Sequence, residues 1–162
     1  MQFSAEPLSE QHETADFDSG QPELDRWLLE HALTAEAKRV GRTFVWADGE
    51  RIVAYYTIVA HAIFREDLPR SVVRGNPIQI PSVLLAKLAL DRSFQGQGLG
   101  SVLLVDALAR IVAATRTVAA RYVVVDAFSS AAADFYAHHG FVRLPDSTRL
   151  LRKLTDIAAS LR

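Results

Sequence analysis

The 162-residue sequence contains no cysteine, so disulfide bonds, thiolate catalysis and cysteine-bound metals are excluded. It also lacks an apolar run of the roughly 18 residues that a membrane-spanning helix needs, and its N-terminus does not combine basic residues with an apolar stretch. These absences predict a cytoplasmic protein with no membrane segment. The length predicts a single domain over residues 1–162, and 49% hydrophobic residues can build a core.

Histidines are few and are poorly spaced for a metal. His138 and His139 are neighbours, and adjacent residues on a helix point about 100° apart, so the two rings do not converge on one ion. No HExxH pattern is present, and His12, His31 and His61 are isolated. We therefore expect no metal site.

A strong excess of charge of one sign is absent as well, because the formal net charge is −1. The charges are nevertheless unevenly distributed: residues 1–30 have a net charge of −7 and residues 31–162 a net charge of +6. A local electric field depends on which charges share a face, so the mildly acidic total does not exclude a nucleic-acid partner.

The sequence does contain an apolar run of strand length at residues 83–90, followed by Gly96, Gly98 and Gly100 and then by a helical pattern from Ser101. Glycine permits positive φ and leaves no side chain above its amide, and the first amides of a helix have no partner within the helix. The stretch therefore predicts a strand, a phosphate-binding loop and a helix. The spacing fits neither GxGxxG nor a P-loop, and a tight turn can require glycine for steric reasons alone.

Three segments carry a resemblance to a known family. Gln95-x-x-Gly98-x-Gly100 resembles the pyrophosphate loop of the GCN5-related N-acetyltransferase (GNAT) family. Residues 135–141 are similar to its FYxxxGF segment, and residues 16–28 resemble the DFDCGxxxLxxWL opening of its TacT-like toxins. The resemblance implies the GNAT fold, an α/β (α+β) architecture. Its mixed central sheet has about six to seven strands, flanked by helices and splayed between the fourth and fifth strands.

The resemblance also implies a co-substrate and an acid. The co-substrate is acetyl-CoA, with binding residues Leu88, Ala89, Leu90, Gln95, Gly96, Gln97, Gly98, Leu99, Gly100, Ser101, Ser129 and Phe135. Tyr136 matches the family's general acid, which protonates the departing thiolate, although an ordinary core tyrosine is the alternative interpretation. A backbone N–H at residues 88–90 would polarise the acyl carbonyl. Glu66, Asp67, Asp91 and Asp126 are possible bases, and none stands out.

The function that the resemblance implies is that of a toxin acetylating the α-amino group of aminoacyl-tRNA, which blocks translation. Such toxins are neutralised by a ribbon-helix-helix antitoxin and commonly form homodimers. The lack of an evident base favours an α-amine, with a pKa of about 7.7–8.0, over a lysine at about 10.4. The residues expected to contact tRNA are Lys38, Arg39, Arg42, Arg74, Lys87, Arg92, Arg143 and Arg149.

Several of these cations have structural explanations too. Lys38, Arg39 and Arg42 follow the end of a predicted helix, where cations are favoured, and Lys87 can extend from a strand end to solvent. Two other functions remain open: a GNAT enzyme acting on a small-molecule amine or a protein N-terminus, and a catalytically inactive acyl-CoA-binding or regulatory module.

The remaining pattern predicts the order of elements. An edge strand at residues 3–8 precedes a helix after Ser19 whose apolar positions run from Leu24 to Ala35. A hairpin turns at Asp48-Gly49 between strands at 43–47 and 51–60. The segment at 63–81 has three prolines and little periodicity, and its length for a plain connection predicts that it is either functional or mobile. Beyond the glycine loop we expect a strand at 122–127, a serine-capped helix at 131–138, strands at 141–144 and 150–154, and a loose C-terminus.

Overall fold

The computed structural model describes residues 3–162, apart from the side chains of Val72 and Val73. Its strands, in chain order, are β1 (Glu6–Pro7), β2 (Arg42–Asp48), β3 (Arg51–Phe64), β4 (Gln79–Leu90), β5 (Tyr122–Asp126), β6 (Val142–Arg143) and β7 (Arg149–Lys153). Within the described residues these seven form one mixed sheet in the order β1-β2-β3-β4-β5-β7-β6. The parallel pairing of β4 with β5 covers Ser82–Leu84 and Tyr122–Val124, while β4 runs on to Leu90. The mixed sheet of seven strands, with its parallel β4–β5 pair, agrees with the expected α/β (α+β) architecture.

The chain divides into two compact units, of which the first comprises Met1–Val59 and Ala86–Leu108. Its β2–β3 hairpin turns at Gly49, whose φ of 66° requires the left-handed conformation. Tyr55 is fully buried on β3, stacks on Trp27 and donates a hydrogen bond to the Leu24 carbonyl at 2.7 Å. The core of this unit is formed by Leu8, Phe17, Leu28, Ala32, Val45, Ile52, Tyr55 and Ala89.

Residues 22–38 form two helices where the sequence predicts one: α1 (Pro22–Glu30) and α2 (Ala32–Lys38). Proline at the first position of α1 needs no amide partner there, and the Asp25 carboxylate accepts hydrogen bonds from the amide and hydroxyl of Ser19. The backbone breaks at His31, with φ of −125°. The His31 amide still bonds to the Trp27 carbonyl, so the apolar spacing continues across the break and hides it from a periodicity argument.

The second unit comprises Ala60–Leu85 and Ala109–Arg162. Here β7 pairs antiparallel with both β5 and β6, and Ile63, Leu68, Ile80, Tyr122, Val124, Leu144 and Leu151 form its core. Helix α5 (Ser130–His138) begins after Ser129, whose hydroxyl accepts from the Ala132 amide at 3.1 Å, which confirms the predicted cap. Helix α4 (Leu99–Ala114) contributes residues to each unit.

Two segments for which the sequence pattern indicates no helix or strand are structured. Residues 63–81 contain the end of β3, a 3₁₀ turn at Arg65–Asp67, helix α3 (Arg70–Val73) and the start of β4. The C-terminal residues form helix α6 (Leu154–Ser160) rather than a loose end, because Leu154 and Ile157 are buried. The expected loose C-terminus was wrong, and the elements within residues 63–81 were not predicted, for the same reason: short elements stabilised by tertiary burial carry little periodicity of their own.

Candidate functional site

The loop after β4 has the backbone geometry of an anion-binding site. A 3₁₀ turn at Arg92–Phe94 follows the strand, and Gly96 and Gly98 then adopt φ values of 80° and 79°. No acceptor among residues 3–162 bonds to the amides of Gly96, Gln97 or Gly98. An additional Cβ at Gly96 or Gly98 would meet nothing within 4 Å, so the space above both glycines is open. Successive free amides beside a helix start suit a diphosphate.

The helix after this loop begins earlier than the sequence pattern indicates. Leu99, Gly100 and Ser101 all lie in the first turn of α4, whereas the prediction started the helix at Ser101. Glycine at position 100 therefore does not end a loop but belongs to the helical turn. Because α4 begins at Leu99, the positive end of its dipole lies directly after Gly98.

The Gln95 side chain fastens the loop to the strand that precedes it. Its amide nitrogen donates to the carbonyls of Ser19 and Leu90, each at 2.8 Å. Both donor hydrogens are thereby directed at the protein itself. The structure supports a positioning role for Gln95, with the free backbone amides of residues 96–98 left for the anion.

Asp91 is a second anchor of the same loop, and sequence reasoning missed this function. Its buried carboxylate accepts from the amide and hydroxyl of Ser93 and from the Asp18 amide, at 2.7 to 3.1 Å. Burial alone would raise the pKa of Asp91, but these hydrogen bonds and the nearby Arg51 hold the pKa below its usual value. An acidic residue two positions before a serine is a capping signal, and it could have identified this role.

The end of β4 contains the remaining residues that are expected to bind the co-substrate. Ala89 is 5% exposed and belongs to the core of the first unit, while Leu88 and Leu90 are half-buried. Apolar side chains at these positions leave the peptide groups as the polar features of the strand end. The structure is thus compatible with the role expected of their backbone.

Tyr136 lies on α5 in the second unit with its ring 8% exposed, against Phe135 and Phe141 at centroid distances of 5.3 and 5.6 Å. Burial raises the pKa of its phenol above the usual value, so the group is protonated at neutral pH. Nothing among residues 3–162 hydrogen-bonds to its hydroxyl. A protonated phenol without a competing acceptor can donate a proton to a leaving group. Ser129 spends its hydroxyl on the α5 cap.

None of the predicted bases emerges as a strong one. Asp126 forms two hydrogen bonds with Arg149, at 2.9 and 3.0 Å, and this pairing lowers the pKa of the Asp126 carboxyl. Asp91 is committed to the loop. Glu66 and Asp67 are exposed in a 3₁₀ turn. The two carboxylates with defined partners are structural, so the structure strengthens the argument for an acceptor that needs little deprotonation.

Four of the eight cations expected to contact tRNA are paired with acidic residues of the chain. Arg42 bonds to Glu36 at 2.7 Å, and Arg92 lies 3.3 Å from Asp18. Arg143 pairs with Asp134, and Arg149 pairs with Asp126 and also contacts His61. These pairs lower the positive potential that the arginines present to an outside anion.

The other four differ in their surroundings. The Lys87 ammonium lies 5.5 Å from the centre of the Trp27 ring and forms a cation–π contact. The sequence suggests a tRNA contact or extension to solvent for Lys87, and neither includes this contact. Lys38 ends α2, and Arg39 caps it with φ of 60°. Arg74 follows α3. No ion pair involves Lys38, Arg39 or Arg74 in the part of the chain that the structure describes.

The structure contains no metal-binding cluster of three or more His, Asp or Glu side chains within the residues described. Among residues 3–162, no helix combines the length and the hydropathy that a membrane span requires.

Comparison with known proteins identifies the family. The model of the acetyltransferase (GNAT) domain matches residues 39–143 of the chain. The chain belongs to the GNAT acetyltransferase family. As a GNAT acetyltransferase it takes its acetyl group from acetyl-CoA, and the free amides of residues 96–98 fit the diphosphate of that molecule.

Individual relatives cover nearly the whole chain. A tRNA-acetylating toxin of Mycobacterium tuberculosis is 35% identical over 153 residues, which are 94% of this GNAT chain and 92% of the relative. A solved structure of AtaT complexed with acetyl-methionyl-tRNAfMet matches with a TM-score of 0.89 and 26% identity, covering 99% of this chain and 100% of that one. An AtaT mutant bound to acetyl-CoA and to the C-terminus of the antitoxin AtaR matches with a TM-score of 0.83 and 25% identity, covering 98% of each chain.

Proposed function

We propose that this GNAT acetyltransferase is a toxin that acetylates the α-amino group of aminoacyl-tRNA and thereby blocks translation. The observation that carries the proposal is the 35% identity over 94% of the chain to a tRNA-acetylating toxin. The structure of the relative AtaT with an acetylated aminoacyl-tRNA supports the same substrate class.

In the proposed mechanism, acetyl-CoA supplies the acetyl group as a thioester. The amides of Gly96, Gln97 and Gly98 bind its diphosphate, and Gln95 keeps the loop in place. A backbone N–H at residues 88–90 polarises the acyl carbonyl. As the acceptor nitrogen bonds to the acyl carbon and the C–S bond breaks, Tyr136, protonated and without a protein acceptor among the described residues, donates a proton to the leaving sulfur. Solvent takes up the proton that the attacking nitrogen loses and returns one to the phenolate.

The lack of an evident general base favours an acceptor amine with a low pKa. An α-amino group with a pKa of about 7.7–8.0 is partly neutral at pH 7, whereas a lysine at about 10.4 is almost entirely protonated. The engaged carboxylates of Asp91 and Asp126 make strong base catalysis unfavourable. Acetylation removes the α-amine as a nucleophile, so the modified tRNA can no longer accept a growing peptide.

The partners extend from the same proposal. The AtaT relative bound to the C-terminus of AtaR supports neutralisation of this chain by an antitoxin. We propose that this antitoxin is of the ribbon-helix-helix type, that the toxin forms a homodimer and that it acts in the cytoplasm, where charged tRNA is found.

The test is acetylation of charged tRNA by the purified protein. With acetyl-CoA present, mass spectrometry should detect an acetyl group on the α-amine of the aminoacyl ester. Tyr136→Phe should keep its affinity for acetyl-CoA and lose about 10²- to 10⁴-fold in turnover, the usual contribution of a positioned acid.

Competing acceptors decide between the possible functions of the site. Free amino acids, polyamines and peptides with a free N-terminus should be poor substrates beside charged tRNA. Faster acetylation of any of them would refute the tRNA assignment and indicate a metabolic or protein acetyltransferase. Equal toxicity of wild type and Tyr136→Phe in growing cells would indicate a binding protein instead of an enzyme.

A further inference from the structure

A basic cavity of about 460 Å³ lies in the second unit, where β5 begins and β7 ends. The β5–β7 register pairs Tyr122 with Lys153 and Val123 with Arg152, so cations from separate parts of the sequence meet there. The lining contains one acidic side chain, Asp156. Its cationic side chains are Arg74, Arg121, Arg152 and Lys153.

The charges of this cavity are not balanced by the protein. Arg121, Arg152 and Lys153 are each half-buried, and none of the three forms an ion pair within residues 3–162. Arg143 and Arg149 in the same unit both have carboxylate partners. Cations that are brought together and partly removed from water repel one another unless an anion joins them. The imbalance therefore indicates an anionic ligand.

Two of the guanidinium groups have close neighbours in the second unit. Arg121 lies 5.7 Å from the centre of the Tyr122 ring, and its Nε is 3.4 Å from the Tyr122 hydroxyl. Arg152 crosses Gly140 so closely that a Cβ there would lie 2.9 Å from the Arg152 Nε. The glycine that ends α5 thus also makes room for the arginine. A planar guanidinium is suited to a phosphate, which it can bind through two hydrogen bonds.

We infer that this cavity is a phosphate-binding site for the sugar–phosphate backbone of the tRNA, at a distance from the chemistry. The inference rests on the proposed tRNA substrate. The cavity adjoins Tyr122 at the start of β5, while Asp126 ends this strand and the Ser129 cap of α5 comes after it. The four steps of about 3.3 Å from Tyr122 to Asp126 separate the two ends of β5 by about 13 Å. A polyanion as long as a tRNA can be contacted at both places.

The composition of the lining favours RNA over a protein partner. An amphipathic helix of a protein partner binds in an apolar groove. This cavity offers it little apolar surface, because Val142 is mainly exposed but Leu151 is only 4% exposed. Four of the lining residues are cationic instead. An acidic protein segment is accordingly an outcome that the experiment must be able to reveal.

The experiment compares two double variants with the same change in charge. Arg152→Gln with Lys153→Gln removes two cavity cations, and Arg116→Gln with Arg162→Gln removes two cations of the same unit outside this cavity. Binding of uncharged tRNA is measured between about 50 and 200 mM KCl. The slope of log K against log salt is negative, and each lost phosphate contact reduces its magnitude by about 0.7 to 0.9. We therefore expect the magnitude of the slope to fall by about 1.4 to 1.8 for the cavity variant and to change little for the control.

The outcomes separate the inference from the proposed function. An unchanged slope in a cavity variant that still binds acetyl-CoA and unfolds at the wild-type temperature would overturn the phosphate site, while acetylation of charged tRNA would still support the toxin proposal. A wild type that acetylates no charged tRNA, yet binds tRNA through these cations, would support the phosphate site and overturn the toxin proposal. Loss of binding to poly-glutamate with unchanged tRNA binding would assign the cavity to an acidic protein.

Discussion

Replacement of Gln95 by alanine tests whether a side chain or the backbone of the glycine loop binds the acetyl donor. The Gln95 amide donates to the carbonyls of Ser19 and Leu90 at 2.8 Å and so holds the loop against the end of β4. Gln95→Ala removes both bonds and leaves the free amides of residues 96–98 chemically unchanged. Any loss of affinity for acetyl-CoA therefore reports on loop position.

The size of the effect follows from these two bonds. A hydrogen bond within a protein contributes a net free energy of about 0.5–1.5 kcal/mol, and the bond to Leu90 lies in exposed surroundings, so about 1–2 kcal/mol is expected for the pair. That amount should appear as a lower free energy of unfolding. If binding must restore the loop, the Kd for acetyl-CoA rises by about 5- to 30-fold.

Isothermal titration with acetyl-CoA and urea unfolding measure the two quantities on the same protein. Gln79→Ala, an exposed glutamine at the start of β4, is the matched control and should alter neither. A Gln95→Ala protein with wild-type stability but greatly weakened binding would refute the reasoning, because it would mean that the side chain touches the ligand itself.

Three further substitutions test other parts of the site. Gly98→Ala forces a side chain into φ of 79°, which costs about 1–2 kcal/mol, and calorimetry should show weaker acetyl-CoA binding that Gly98→Asn partly restores. Asp91→Asn should lower stability at pH 7 and make stability, measured by urea unfolding, less dependent on pH in acid. The lowered pKa of Asp91 means that its carboxylate stabilises the fold above the unfolded-state pKa of about 3.9, and this stabilisation is lost as the pH falls through the folded-state pKa. Burial and Arg149 lower the pKa of His61, so stability should decrease as pH falls below about 6.5 and His61→Gln should remove that decrease; a His61 ring that titrates by NMR above 6.5 would contradict it.

The sequence predicted most strands and the glycine loop because both depend on local pattern. Residues 83–90 are apolar enough to require a central strand, and Gly96 and Gly98 take the positive φ values that their spacing indicates. The break at His31 and the helix at Leu154–Ser160 escaped prediction, since each depends on contacts formed only in the folded chain.

The basic surface shows the limit of sequence reasoning more clearly. Arg92 and Arg149 look like available cations in the sequence, but their partners Asp18 and Asp126 lie far away along the chain, and no local signal reveals such pairs. Arg121 and Arg152 went unnoticed for the converse reason: they converge only through the pairing of β5 with β7. Charge can be counted along a chain, whereas its neutralisation is a property of the fold.

The GNAT loop depends on residues that lie outside the span matched by the family model, which begins at residue 39. The Asp18 amide donates a hydrogen bond to the Asp91 carboxylate, and the Asp18 carbonyl accepts one from the Arg92 amide. The Ser19 carbonyl accepts one from the Gln95 side chain. A fragment cut at residue 39 would retain every glycine of the loop yet leave a buried carboxylate and an amide with unmet hydrogen bonds. A fragment that keeps all the hydrogen bonds of this loop must therefore begin before Asp18.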